Sequence, residues 1–384
     1  MIYFDNAATT GKKPNNVIRA TAQALENLCV NPGRGGYELS VRAAEKIYNG
    51  RQKTAAFFNA NGGENVVFTL NCTQSINFVL KGVLKKGDHI IVSSLEHNAV
   101  IRPLERMKIP YSVAEVSLTD DLETVESFKR NIRPNTRMIF CTAASNVNGK
   151  TLPLKELGAI CKNRGLLFGV DAAQGAGVIP IDMKEMNIDY LCIAPHKGLY
   201  APMGLGVLIC HKNIESTIIE GGTGFNSLEP VQPRELPERL ESGTVNLPAI
   251  MGLGAGIDFV KQKGAQNLYN SEMNLAMKAY ANLKNHSYIE LYTPFFKKGE
   301  YVPVISFNFK GLTGEKGAEL LGNYGIAVRG GYHCAPLAHR YMNTLENGTV
   351  RLSFSAFNEG REIEYFNSLI NSEKFLKNIK KTVE

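Results

Sequence analysis

Between about residue 66 and residue 210, short runs of β-branched and apolar residues alternate with longer stretches whose apolar positions recur every three or four residues. The short runs at 66–70, 89–93, 111–116, 137–142, 166–170, 190–194 and 204–210 read as strands. The stretches at 73–84, 98–107, 122–131 and 154–163 read as amphipathic helices. Strands that are apolar throughout must be covered on both faces, and helical crossovers supply that cover. The pattern therefore predicts an α/β fold with a large, mostly parallel seven-stranded sheet.

A Gly- and Pro-containing stretch at 220–244 interrupts the alternation and reads as a loop, and a long helical pattern follows to about residue 285. Beyond it, strand patterns at 302–309 and 350–354 and helix patterns at 316–324 and 363–377 describe a smaller α+β domain. The expected division is 15–260 for the large domain and 261–384 for the small one, with residues 1–14 packed on the small domain.

A chain of 384 residues, 44% of them hydrophobic, can bury a core larger than one ordinary domain. Its first residues lack the basic start and apolar centre of a secretory signal. No apolar run reaches the roughly 18 residues that a membrane span requires. The expectation is a cytoplasmic protein with no membrane partner. The net charge of +7 shows no basic stripe interleaved with aromatics, which argues against a nucleic-acid partner. An excess of that size suits a small anionic ligand. The seven cysteines form no C-x-x-C pair, and several sit inside apolar runs such as Met138-Ile139-Phe140-Cys141, as reduced, buried small hydrophobes do.

Ligands of such a sheet bind beyond the carboxyl ends of its strands, which is where the polar motifs fall. One strand pattern ends in Ile193-Ala194-Pro195-His196-Lys197-Gly198, and another runs into Asp171-Ala172-Ala173-Gln174. A Lys amine with a carboxylate from a neighbouring strand is the arrangement that binds pyridoxal 5'-phosphate (PLP), the amine as a Schiff base and the carboxylate on the pyridine nitrogen. Gln174 is within reach of the ring hydroxyl. Asn71-Cys72-Thr73-Gln74-Ser75 opens a helix after a strand, so Cys72 and Thr73 stand at an anion-binding helix start, although Ser and Thr are also ordinary caps. His196 is a further candidate donor to a phosphate. His97, after the strand ending near Ser93, can stack on a ring and exchange protons, or simply bond to backbone. Asn146 follows the strand ending near Thr142 and is also compatible with plain turn chemistry.

Two further motifs lie in the small domain. In Val328-Arg329-Gly330-Gly331-Tyr332-His333-Cys334-Ala335-Pro336, a glycine-punctuated loop presents Cys334 outside any strand, a context for an exposed nucleophilic thiol. Arg351 stands in the apolar run Thr349-Val350-Arg351-Leu352-Ser353-Phe354 and requires an anion, either a bound carboxylate or an internal salt bridge.

Taken in order along the chain, Tyr3-Phe4-Asp5-Asn6-Ala7-Ala8-Thr9-Thr10, Glu96-His97-Asn98, Asp171-Ala172-Ala173-Gln174, His196-Lys197, Glu241-Ser242-Gly243-Thr244-Val245-Asn246, His333-Cys334-Ala335 and Arg351 resemble the class V aminotransferase-type PLP enzymes. The likeness is to the cysteine desulfurases of the group II branch, which includes the SUF-type desulfurases and selenocysteine lyases. It implies the type I PLP fold and Lys197 as the Schiff-base lysine. It also implies Asp171 on the pyridinium, Gln174 on the ring oxygen, His97 stacked on the ring, and Thr73 with His196 on the phosphate. Gly243 and Thr244 would reach the phosphate of the second subunit of a homodimer. Cys334 would accept sulfur from L-cysteine as a persulfide and pass it to a sulfur-acceptor protein, while Arg351 and Asn146 would bind the substrate carboxylate. Ala194 and Pro195 depart from the family pattern, where a hydroxyl residue and a glycine are usual. The alternatives are a selenocysteine lyase acting on L-selenocysteine, another lyase or epimerase of this fold, and a non-catalytic sulfur relay or scaffold. No ligand spacing supports a metal site. The destination of the sulfur, iron–sulfur cluster assembly or another pathway, stays open.

Overall fold

The computed structural model describes residues 1–33, 35–293 and 295–383. A short strand, β1 (Ile2–Tyr3), precedes the seven apolar runs, which form β2 (Val66–Thr69), β3 (His89–Ser93), β4 (Tyr111–Ala114), β5 (Thr136–Thr142), β6 (Leu167–Asp171), β7 (Tyr190–Ile193) and β8 (Gly206–Cys210). They make one sheet in the order β2-β8-β7-β6-β5-β3-β4. Only β8 runs against its neighbours, so the other six strands end at one edge.

Alternation with a period of two sends Phe68, Ile91, Ile139 and Cys141 to one side and Val67, Ile90, Met138 and Phe140 to the other, and each side has its own buried core. The helices Glu38–Phe57, Asp121–Arg130, Leu154–Arg164 and Leu247–Lys263 cover the first side, and Cys72–Val83 with Asn98–Met107 covers the second. This is the layered α/β architecture that the strand pattern predicts.

The remaining strands are β9 (Ile289–Leu291), β10 (Val304–Phe309), β11 (Ile326–Ala327), β12 (Arg329–Gly331) and β13 (Thr349–Ser353). Four of them form an antiparallel sheet in the order β12-β13-β10-β9, while β1 pairs in parallel with β11. Phe4 is fully buried between Phe354 and Phe366, which ties the first residues of the chain to this second sheet. Two long helical patterns are each broken in two. The one ending near residue 285 divides at Gly264 (φ 79°) into Leu247–Lys263 and Ala265–Lys284. The pattern at 363–377 resolves into Gly360–Ile370 and Glu373–Val383, separated by Asn371 and Ser372. No helix among the described residues is long and apolar enough to cross a membrane.

One close approach fixes the segment that follows Lys197. A Cβ built on Gly256, inside the helix Leu247–Lys263, would lie 2.0 Å from the Leu199 carbonyl oxygen, so the helix lies directly against that turn. Gly256→Ala should therefore lower stability by about 1–3 kcal/mol through overpacking. The check is the urea midpoint of unfolding at unchanged m-value, and an unaltered midpoint would show that the helix has room to move.

Candidate active site

The six aligned strand ends deliver the polar side chains to one rim. Asp171 is the last residue of β6, and Lys197 stands four residues past the end of β7. Asp171 is buried, and its Oδ1 accepts from the Ala173 N–H (2.9 Å) and from the Cys72 thiol (3.5 Å). Its Oδ2 accepts no hydrogen bond from a described residue. A buried carboxylate in that state calls for a cation. Burial lowers the pKa of the Lys197 ammonium, opposed by Asp171 and reinforced by Arg351, and the amine donates no hydrogen bond to a described residue. Asp171, Lys197, Thr73, His97, Asn146 and His196 line one cavity, together with Cys72 and Gln174.

The cavity also takes in the start of the helix Cys72–Val83, capped by Asn71, whose side chain accepts from the Gln74 N–H. The N–H groups of Cys72 and Thr73 donate to no described residue, and helix-start donors in that position bind anions. Burial pushes the His196 imidazolium down to about 4, with Lys197 and Lys13 adding to the effect, so His196 is neutral at pH 7. Its Nδ1 lies 3.0 Å from the Thr9 hydroxyl. Burial also raises the Cys72 thiol well above its ordinary range, and Asp171 raises it further. Cys72 is thus a thiol that donates, not a thiolate that attacks.

His97 caps the helix Asn98–Met107, and its Nδ1 accepts from the Ala99 N–H at 3.0 Å, which puts the proton of the neutral ring on Nε2. Burial lowers its pKa, while Asp171 acts the other way. Beside it, Glu96 is fully buried. Its Oε1 accepts from the Ser93 hydroxyl and the Thr142 N–H (2.9 Å), joining the ends of β3 and β5, while Oε2 has no partner among the described residues.

The Cys334 loop comes to this rim from the second sheet. His333 (φ 49°) and Cys334 (φ 57°) both occupy the left-handed region, a costly backbone state for two adjacent non-glycine residues. Three hydrogen bonds to other segments hold it: Asn98 N–H to the Cys334 carbonyl (2.7 Å), Asn146 Nδ2 to the His333 carbonyl (2.6 Å), and His333 Nε2 to the Thr349 carbonyl (3.0 Å). The result is an exposed thiol, with Arg329 Nη2 at 3.8 Å from Sγ. Thr73 and His97 line both the Lys197 cavity and the groove that holds Cys334.

The alternative of an internal salt bridge describes Arg351 as it stands. Its Nη2 donates to Asp5 Oδ1 at 2.7 Å and its Nη1 to the Asn146 carbonyl at 2.9 Å. Asn146 is accordingly more than a turn residue, since it bonds to Arg351 through its backbone and to the Cys334 loop through its side chain. Gln174 lines the Lys197 cavity and donates to the Ala7 carbonyl at 2.9 Å. Gly243 and Thr244 are exposed and line a different cavity, rooted by the Arg51–Glu241 ion pair (2.6 Å). Five cysteines are buried, Cys29 and Cys334 are exposed, and all seven are free.

Sequence reasoning gave no role to Asp5, Glu96 or Arg329. The available signals were a lone acid after Ile2-Tyr3-Phe4, a Glu inside a strand-end motif, and an Arg beside two glycines. None of these reveals its partner without the fold.

The model of the family described as Aminotransferase class-V matches residues 2–366. The chain is 32% identical to a probable cysteine desulfurase of Methanothermobacter thermautotrophicus over 373 residues, which cover 94% of this chain and 92% of the relative. It is also 32% identical to a cysteine desulfurase of Escherichia coli over 380 residues, covering 95% and 91%. An apo structure of a cysteine desulfurase from Thermococcus onnurineus NA1 superposes with a TM-score of 0.83 at 30% identity, over 98% of this chain and 95% of that one.

Glu96 carries a pH signature. Burial pushes its carboxyl up to about 8, so from the ordinary carboxylate range to pH 8 the folded chain keeps a proton that the unfolded chain releases. This group's contribution to stability therefore falls as the pH rises through that window. Glu96→Gln, which cannot ionise, should gain stability relative to the wild type from about pH 5 to about pH 8. Urea unfolding of both proteins across that range checks this, and a constant difference would contradict it.

Proposed function

The chain belongs to the class-V aminotransferase family, among its cysteine desulfurases, and we propose that it converts L-cysteine to L-alanine with PLP, leaving the sulfur as a persulfide on Cys334. The observation that carries this reading is the placement of Cys334. It is an exposed thiol beside Arg329, its carbonyl held by the helix that starts at His97, in a groove that shares Thr73 and His97 with the Lys197 cavity.

The donor set suits the cofactor. Asp171 Oδ2 is open to a pyridinium nitrogen, the Cys72 and Thr73 N–H groups with His196 suit a phosphate, and the Lys197 amine has no competing partner among the described residues. Ala194 supplies no hydroxyl, so this chain leans on the helix start. When bound, PLP supplies the electron sink that weakens the bonds around the substrate's Cα and Cβ. The depressed pKa of Lys197 favours the neutral amine, which holds the cofactor and then takes the Cα proton. His97, with its proton on Nε2, sits where it can return a proton to the product. The Cys334 thiolate attacks the substrate sulfur; the S–S bond forms, the substrate Cβ–S bond breaks, and Cβ gains a proton. The balance is L-cysteine plus the Cys334 thiol giving L-alanine plus the Cys334 persulfide. Arg351 and Asn146 receive the substrate carboxylate. Gly243 and Thr244, exposed on their own chain, complete the phosphate site of a second copy in a homodimer. A sulfur-acceptor protein removes the persulfide sulfur at the open face of the Cys334 groove.

Lys197→Ala should abolish both the visible absorption of the PLP-loaded protein and turnover, and an unchanged spectrum would remove Lys197 from the site. Cys334→Ser should keep that absorption but lower alanine formation from L-cysteine by roughly a hundredfold or more. Mass spectrometry of the wild type after brief exposure to L-cysteine should show one added sulfur on the peptide containing Cys334. Added sulfur on the Cys72 peptide, or wild-type turnover in Cys334→Ser, would overturn the assignment.

A further inference from the structure

Arg351 is 1% exposed and not fully satisfied. Nη2 donates to Asp5 and Nη1 to the Asn146 carbonyl, whereas Nε is buried without a partner among the described residues. Nε and Nη2 form the guanidinium edge that meets a carboxylate through two parallel hydrogen bonds. Asp5 uses only half of it.

The charge around this edge is also incomplete. Arg329 and Arg351 are directly opposed in the β12–β13 pairing, a destabilising arrangement for like charges. Arg329 forms no ion pair among the described residues, so of these two facing cations only Arg351 has a carboxylate, that of Asp5. Arg351 is tied to the carbonyl of Asn146, a residue that lines the Lys197 cavity, which places the guanidinium next to that cavity. Within the ion pair the Asp5 side chain is 21% exposed against 1% for Arg351, so solvent reaches the acid and not the base. The Asp5 backbone is fixed, through a bridge to Ser353 and a hydrogen bond from the Tyr3 hydroxyl to its carbonyl (3.1 Å). Its carboxylate can therefore leave Arg351 by side-chain rotation alone.

We propose that Asp5 stands in for the α-carboxylate of the substrate: it neutralises Arg351 in the free enzyme and yields Nη2 when an amino acid binds, whose carboxylate then takes both Nε and Nη2. Asp5 thereby sets the affinity threshold for carboxylate ligands and selects those able to use the full edge. The inference rests on the assignment of the substrate carboxylate to Arg351.

The test uses the PLP-loaded enzyme and three measurements. Asp5→Asn keeps a hydrogen-bond acceptor but removes the competing charge, so the KM for L-cysteine should fall about five- to tenfold, with a smaller change in kcat. The rise in Tm on adding L-alanine should be larger for Asp5→Asn than for the wild type, a binding readout independent of turnover. Arg351→Lys, run in parallel, should raise the KM. If Arg351→Lys leaves the KM unaltered, the carboxylate assignment itself is wrong. If Arg351→Lys raises it but Asp5→Asn leaves it unchanged or higher, Asp5 only supports Arg351 and the proposal is overturned. Should Asp5→Asn fail to fold, a crystal structure of the wild type with L-alanine decides: Asp5 displaced from Nη2 supports the proposal, and Asp5 still bonded there overturns it.

Discussion

A guanidinium buried as deeply as that of Arg351 has to be satisfied by the chain around it, because an unpaired buried charge costs several kcal/mol. Meeting that demand draws together three segments distant in sequence. Asp5 comes from the start of the chain, Asn146 from the end of β5, and Arg351 itself from the middle of β13. Asn146 then extends its side chain to the His333 carbonyl, so the pairing of Arg351 also helps to hold the strained turn that presents Cys334. The junction between the two sheets is thus a polar network, anchored on one side by the buried Phe4 and on the other by the rim of parallel strand ends.

Burial does the rest of the electrostatic work at the rim. It favours the neutral forms of the Lys197 amine and the His97 and His196 imidazoles, and it keeps Glu96 and Cys72 protonated. In the proposed reaction a lysine acting as nucleophile and base would benefit from that depression, and a protonated Cys72 beside Asp171 would not compete with Cys334 for the sulfur. The two cysteines at the site differ in environment and not in chemistry. Cys72 is enclosed and hydrogen-bonded to a carboxylate, whereas Cys334 is open and next to an arginine.

The large sheet was legible in the sequence because strands buried on both faces leave an unbroken apolar record, and the polar residues that follow such a record directly were legible as a group at its rim. Lys197, Asp171, His97, Thr73 and His196, picked from four strand ends, line one cavity for that reason. Pairings set by the meeting of the two sheets left no local trace. The contact of Asp5 with Arg351 spans the chain, and the opposition of Arg329 and Arg351 depends on a strand register that no window reveals. The helices Asn15–Asn27 and Glu38–Phe57 precede the β-α alternation and leave no such record. The division of 363–377 at Asn371 and Ser372 was missed because the apolar spacing continues across it.

The central claim is that the Lys197 site and the Cys334 thiol act together on one substrate to remove sulfur and leave a saturated carbon skeleton. It is tested most directly by supplying L-cysteine to the PLP-loaded wild-type protein and identifying the three-carbon product together with the sulfur released by a thiol reductant. The account predicts L-alanine and sulfide in equal amounts. Pyruvate and ammonia in place of alanine, or no sulfur release, would contradict it.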